Sequence, residues 1–336
     1  MSTLQKFQVF LLVLTLGFLT GPRVMQALQR LTPDGEPTSP QSAQIGGAAR
    51  TPAPLTRVAD GIKADPYEHI DLVARGVYVW DINAHKKLYG RAEYTALPLA
   101  SVTKMMMAVV AKESLPPDQK ITIRPADLLE EGDTGLYVGE TWKLDDLLKF
   151  TLVGSSNDGA SAIAGVAGAS MVRTETTNPL ESKKLFIAKM NEKAQSMGLT
   201  STRFMNESGL DLESLASGAE GSARDMGMLF EYVFKKHPDL FTSTTYARVD
   251  LRSENNIVHR VTNTNEIASG ITGMIGGKTG YTDLAGGNLV VVVDIGVDHP
   301  VVIAVLGSTR DGRFTDVEHL IAATVETITG QTLEVQ

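Results

Sequence analysis

Three short patterns in this sequence bring together side chains that could do chemistry. Ser101-Val102-Thr103-Lys104 sets a hydroxyl and an amine three residues apart, and on a helix the two face the same way, one turn from each other. The segment follows Pro98-Leu99-Ala100 and opens a helix, whose free N–H groups and positive partial charge lie near the hydroxyl. A helix-start serine with a solvent-facing lysine would give the same pattern. Lys104, however, sits among Val102, Met105, Met106 and Ala108, too apolar a run for a surface helix. Ser155-Ser156-Asn157 falls in a turn between two helices, where capping alone could account for it. Lys278-Thr279-Gly280 lies on an expected strand within GGKTGYT. A mid-strand glycine marks the close approach of another chain segment, and lysine and threonine beside it suit a carboxylate; a glycine-bulged edge strand is the plain alternative. The pattern is not a Walker A loop, because Thr272 stands where its first glycine belongs. A second S-x-N, Ser253-Glu254-Asn255, falls at the tip of a hairpin between VDLR and IVHRV and needs no reason beyond the turn.

Composition narrows what these residues could be doing. The chain has no cysteine, which removes disulfides, zinc ribbons, iron–sulfur clusters and thiol nucleophiles together. Its six histidines, His69, His85, His237, His259, His299 and His319, include no pair three to five residues apart, so the helical zinc pairing is absent. No metal and no cofactor is called for. Any hydrolytic chemistry then runs on Ser, Lys, Asp or Glu. A net charge of −8 without a block of like charges argues against nucleic acid as a partner.

The elements that must position these groups read as a mixed pattern. Gly76–Asp81 and Lys87–Arg91, joined by Asn83-Ala84-His85, read as a β-hairpin. Helices are expected over Ala100–Glu113 (closed by Pro116-Pro117), Leu144–Leu152, Gly159–Gly168, Pro179–Met197 and Ala223–Lys236, the last with Ser222 as N-cap and Pro238 beyond. Strands return over Ala247–Arg252, Ile257–Thr262, Gly277–Thr282, Leu289–Ile295 and Pro300–Leu306, and Arg313–Ile328 closes as a helix before Gly330. Strands at both ends with helices between them describe an antiparallel sheet packed on helices and interrupted by a helical lobe. The site is expected at the seam between the two.

Ahead of this body the composition differs. Phe7–Leu19 is apolar, and 16 uncharged residues separate Lys6 from Arg23, a helix of roughly 24 Å, short of a ~30 Å hydrocarbon core. Residues 1–22 therefore read as a signal peptide or an N-terminal membrane anchor. Leu19 at −3 and Pro22 at +1 make a poor cleavage site, which favours the anchor. Residues 23–66 read as a Pro/Ser-rich linker, 67–328 as the catalytic domain and 329–336 as a tail.

Taken in order, S-x-x-K, S-x-N and K-T-G at spacings of 54 and 123 residues resemble the penicillin-recognising serine enzymes. The blocks LYGRAEYTALPLASVTKMMMA, VGSSNDGASAIA, FMNESGLD, SARDMGMLFEYV, VTNTNEI, GGKTGYTDLAGGNLVVV and AVLGSTRDGRF sharpen the resemblance to the D-alanyl-D-alanine carboxypeptidases, the low-molecular-mass penicillin-binding proteins. It spans about Val77 to Leu320. The resemblance implies an α/β (α+β) fold of the β-lactamase/penicillin-binding-protein type, an antiparallel sheet flanked by helices with an inserted helical lobe.

The resemblance also implies roles. Ser101 would be the nucleophile that forms an acyl-enzyme with the penultimate D-alanine, and Lys104 its general base, made neutral by burial and by repulsion from Lys278. Ser155 would relay a proton to the leaving amine, and Asn157 would orient Lys104 and the substrate amide. Lys278 and Thr279 would hold the terminal carboxylate, Gly280 would leave room for the substrate, and the N–H groups of Ser101 and Tyr281 would form the oxyanion hole. Arg313 falls where the family can place a basic residue near the carboxylate, or else pairs with Asp316 at its helix start. Implied partners are peptidoglycan stem peptides, with β-lactams as covalent inhibitors, and a membrane reached through the N-terminal segment; the location would be extracytoplasmic. Three alternatives stay open. A DD-endopeptidase shares the fold and the lack of a second domain after the last helix. A class A β-lactamase needs a deacylating glutamate, which Glu207 in E-S-G-L-D nearly supplies. A non-catalytic penicillin-binding scaffold is set against intact Ser101, Lys104 and Lys278.

Overall fold

The computed structural model of the chain describes residues 65–132, 135–171 and 178–331. The signal or anchor expected over 1–22 and the linker expected from 23 lie outside the described residues up to residue 64. Among the described residues no helix is long and apolar enough to cross a membrane.

The chain opens on the hairpin β1 (Gly76–Asp81) and β2 (Lys86–Arg91). A two-residue strand β3 (Leu97–Pro98) leads through a 3₁₀ turn (Ala100–Val102) into helix α1 (Thr103–Ser114). The helical lobe follows: β4 (Lys120–Thr122), a 3₁₀ segment (Pro125–Leu129), β5 (Thr141–Lys143), α2 (Leu144–Gly154), α3 (Asn157–Ser170) and α4 (Pro179–Ser196). Then come β6 (Arg203–Phe204), β7 (Ala219–Gly221), α5 (Ala223–Lys236) and the short α6 (Asp239–Thr242). Strands β8 (Arg248–Arg252) and β9 (Val258–Thr262) pair as a separate hairpin. The chain closes with β10 (Met274–Thr282), β11 (Gly286–Asp294), β12 (Pro300–Ser308) and α7 (Gly312–Thr329).

Five strands form one antiparallel sheet in the order β10-β11-β12-β1-β2, so the two ends of the described chain meet in its middle. The run Leu289–Val293 is apolar at every position because both faces of the sheet are covered. Leu289, Val291 and Val293 pack with Phe314, Val317 and Leu320 of α7. Val290 and Val292 belong to the larger core that contains α1 and α5. In α1 every residue from Thr103 to Ala111 is buried, which puts it at the centre of that core. Small residues of α3 let neighbours come close: a Cβ at Gly168 would stand 1.8 Å from Ser182 O of α4. The antiparallel sheet with an inserted helical lobe is thus as expected. What the sequence did not signal are the five strands of two or three residues and α6.

Candidate active site

The serine of the first pattern sits on a turn braced from three sides. Leu99 N donates to Ala219 O of β7 (2.9 Å). Asn288 of β11, wholly buried, donates to the carbonyls of Pro98 and Leu99, each at 2.9 Å, and accepts from Gly307 N at 2.8 Å. The third brace is the loop FMNESGLD: Gly209 has φ +81°, and a Cβ there would lie 1.9 Å from Ala100 O. Only glycine permits both that backbone and that approach. Ala100 itself takes φ +46°, a left-handed conformation that L residues adopt at a cost of about 1 kcal/mol.

Lys104, one turn into the helix, is fully buried. Its Nζ lies 2.9 Å from Ser101 Oγ, 2.7 Å from Asn157 Oδ1 and 2.9 Å from the carbonyl oxygen of Ser208. Asn157 is held in turn, its Nδ2 donating to Glu131 O at 2.6 Å. Burial pulls the Lys104 amine from its ordinary 10.5 down to about 7, against the pull of the Glu207 and Glu130 carboxylates, which favour the charged form. The expected repulsion between the lysines falls on Lys278: burial first, then Lys104 and Arg313, hold its amine well below the ordinary range.

The second half of the site faces this one across the cleft. Ser155 ends α2 in a left-handed conformation, φ 60° and ψ 34°, and Ser156 caps α3 by accepting from Gly159 N at 2.9 Å. The turn between the two helices so places Ser155 Oγ 2.9 Å from Lys278 Nζ on β10. Thr279 Oγ1 lies 2.5 Å from Thr264 Oγ1. A Cβ at Gly280 would stand 2.7 Å from Leu99 O and 3.1 Å from Ser101 N, so the strand runs directly against the serine's turn. Arg313 does not pair with Asp316. It is buried and donates from Nη1 to Gly280 O at 2.9 Å, while Asp316 accepts from Val73 N, Ala74 N and Ser308 Oγ. The Tyr281 ring is 44% exposed, with the Arg310 guanidinium 5.5 Å from its centroid. Beside Asn157 opens a cavity of about 570 Å³, lined by Glu131, Leu210, Asp211, Tyr281 and Thr282 among others.

A family profile described as D-alanyl-D-alanine carboxypeptidase matches residues 63–310. The chain belongs to the D-alanyl-D-alanine carboxypeptidase family. It is 29% identical over 235 residues to D-alanyl-D-alanine carboxypeptidase DacB2 of Mycobacterium tuberculosis, covering 70% of this chain and 75% of that one. It is 30% identical over 250 residues to a D-alanyl-D-alanine endopeptidase of Pseudomonas aeruginosa, covering 73% and 74%. The crystal structure of a D-alanyl-D-alanine carboxypeptidase from Mycobacterium tuberculosis H37Rv superposes with a TM-score of 0.66 at 26% identity, over 80% of this chain and 96% of that one.

Within this carboxypeptidase-family fold, the structure brings Ser101, Lys104 and Asn157 into one cluster and Ser155 with Lys278 into another. Thr279 and Gly280 lie on the same strand as Lys278, the Tyr281 side chain lines the cavity beside Asn157, and the Arg313 head group bonds Gly280 O. Glu207, the candidate deacylating glutamate, is 2.9 Å from Lys183 Nζ and buried. Sequence reasoning passed over the carbonyls of Ser208 and Glu131, which are backbone atoms that no side-chain pattern announces. It also passed over Thr264 and Asn288, although both stand in blocks that carried the resemblance.

Proposed function

We propose that this chain is a serine-type D-Ala-D-Ala carboxypeptidase that removes the terminal D-alanine from peptidoglycan stem peptides through an acyl-enzyme on Ser101. The observation that carries the reading is the set of three contacts at Lys104 Nζ, to Ser101 Oγ, Asn157 Oδ1 and Ser208 O. Asn157 Oδ1 and Ser208 O bear no hydrogen, so each must accept an N–H. A neutral amine has two N–H groups and one lone pair. Both N–H groups are then committed, and the lone pair faces Ser101 Oγ at 2.9 Å. That is a base aimed at its nucleophile.

The steps follow from the roles. Lys104 takes the Ser101 proton as Oγ bonds to the carbonyl carbon of the penultimate D-alanine. The C–N bond then breaks as Ser155 relays to the departing amine the proton that Lys104 took. Water attacks the ester and gives one proton to Lys104, the acid leaves, and Lys104 returns that proton to Ser101 Oγ. The N–H groups of Ser101 and Tyr281 are assigned to the developing oxyanion. Lys278 and Thr279 are assigned to the substrate's carboxylate, whose charge supplies the counter-ion that the buried Lys278 amine lacks. Arg313, behind Gly280, steadies that strand and adds positive potential. β-Lactams would acylate Ser101 by the same attack, with the ring amide as leaving group.

The same chemistry on a cross-linked peptide would make the chain an endopeptidase, a reading favoured by its similarity to the enzyme of that name from Pseudomonas aeruginosa. The apolar run Phe7–Leu19 supports export, with residues 1–22 as signal or tether and residues 23–66 as spacer to a catalytic body over 67–328. A fluorescent penicillin is expected to label the wild type covalently and to leave Ser101→Ala unlabelled; equal labelling would sink the mechanism. Mass spectrometry of purified peptidoglycan separates the activities. Loss of one alanine from pentapeptides means carboxypeptidase, and conversion of cross-linked dimers to monomers means endopeptidase.

A further inference from the structure

The two groups that hold Lys104 belong to two different loops, and a single side chain ties those loops together. Asn157 is anchored on Glu131 O (2.6 Å), and the residue before Glu131 is Glu130. Ser208 supplies the second carbonyl, and the residue before it is Glu207. Lys183 Nζ lies 3.0 Å from Glu130 Oε1 and 2.9 Å from Glu207 Oε1. The contacts close into a ring: Lys104, Asn157, Glu131, Glu130, Lys183, Glu207, Ser208 and back to Lys104. Lys183 itself starts from a fixed place. It lies in the first turns of α4, capped by Asn178, where the backbone of Ser182 is pressed against Gly168 of α3.

We propose that Lys183 is a positioning residue for the base Lys104, clamping its two supporting loops and neutralising the carboxylates that flank it. The inference rests on the Ser101–Lys104 acylation reading above. Glu207 has a side chain only 6% exposed, so without Lys183 its charge would be uncompensated in a poorly solvated place and would act on the next cation, Lys104. The charged groups around that amine can be named by element. The loop 205–211 brings Glu207 and, at its end, Asp211, which lines the cavity beside Asn157. The 3₁₀ segment and its exit bring Glu130 and Glu131, with Arg124 and Asp127 paired to each other. On β10 stands Lys278, backed by Arg313 of α7. Helix α4 brings Lys183, and α3 brings the uncharged Asn157, followed by Asp158. Of these, Lys183 is the one cation bonded directly to the two carboxylates that favour a protonated Lys104.

The test is the pH dependence of Ser101 acylation by a fluorescent penicillin, measured on the full chain. Lys183→Gln removes the counter-charge and is expected to move the acid limb up by about one pH unit. Glu207→Gln removes a carboxylate instead and is expected to move the limb down. Lys183→Arg keeps the charge and both bridges and should restore the wild-type profile. A mere structural prop would lower the rate at every pH and leave the limb in place, and that result overturns the proposal, as do shifts of the same sign in Lys183→Gln and Glu207→Gln. If Lys183→Gln does not fold, the decision rests on Glu207→Gln: a downward shift supports the proposal, and an unmoved or raised limb overturns it. Labelling of the wild type and its loss in Ser101→Ala check the parent reading separately.

Discussion

Gly280→Ala is the smallest change that should separate the strand from the nucleophile. The added Cβ would stand 2.7 Å from Leu99 O and 3.1 Å from the nitrogens of Ser101 and Val102. None of these can give way easily, because Leu99 is held through both its N–H, on Ala219 O, and its carbonyl, on Asn288. Ordinary contact begins at 3.4 Å, so β10 must retreat by about 0.7 Å. The strand carries Tyr281, whose N–H is one of the two assigned oxyanion donors. A misplacement near 1 Å costs about 10²-fold in rate, and loss of one such donor about 10²–10³-fold. The second-order rate constant for acylation by a fluorescent penicillin should therefore fall about 10²-fold. A thermal melt recorded alongside should show a folded protein, since overpacking of this kind costs about 1–3 kcal/mol. Acylation within about threefold of wild type, less than 1 kcal/mol in barrier, would refute the claim that this glycine sets the strand against Ser101.

Three further outcomes are expected. With the Lys104 amine near 7, the acylation rate should rise about tenfold per pH unit below that value and level off above it; Lys104→Arg, which cannot deprotonate at such pH, should abolish the limb together with nearly all activity. Because Lys104 binds its proton more weakly folded (about 7) than unfolded (10.5), the unfolded chain holds more protons between those values. Stability should rise with pH across that window, by up to about 5 kcal/mol from this group, and chemical denaturation of Lys104→Met should show a flatter slope there. Asp316→Ala strands the buried N–H of Ala74, the half-buried N–H of Val73 and the Ser308 hydroxyl and should cost about 3 kcal/mol, read as a drop of roughly 6–12 °C in Tm.

Much of the scaffold was legible because its signals are periodic or capped. Helix α5 is bounded by Ser222 and by Pro238, and it was read over the same residues it occupies. The expected Leu289–Ile295 begins three residues inside β11 and runs one past its end, and the expected Pro300–Leu306 stops two residues short of the end of β12. The strands β3, β6 and β7 were not read, because two or three residues carry no period, yet β7 helps hold the turn of Ser101. The chemistry-bearing side chains were visible as types at spacings, and their convergence came from resemblance rather than from any local rule. Arg313 shows where local reasoning stops: an acid three residues on looked like its partner, and the real partner, Gly280 O, lies 33 residues away. Burial dominates the Lys104 shift, as expected, but the opposing carboxylates of Glu207 and Glu130 come from loops distant in sequence and leave no local signal.

The three contacts on Lys104 Nζ have one more consequence. A lysine side chain that folds into a single arrangement gives up rotamer freedom of about 1.5–2 kcal/mol, and here that loss is complete before any substrate arrives. Binding therefore orders the substrate but not the base. Acylation should accordingly carry little unfavourable activation entropy from the protein, and its temperature dependence should report the enthalpy of bond making at Ser101 Oγ.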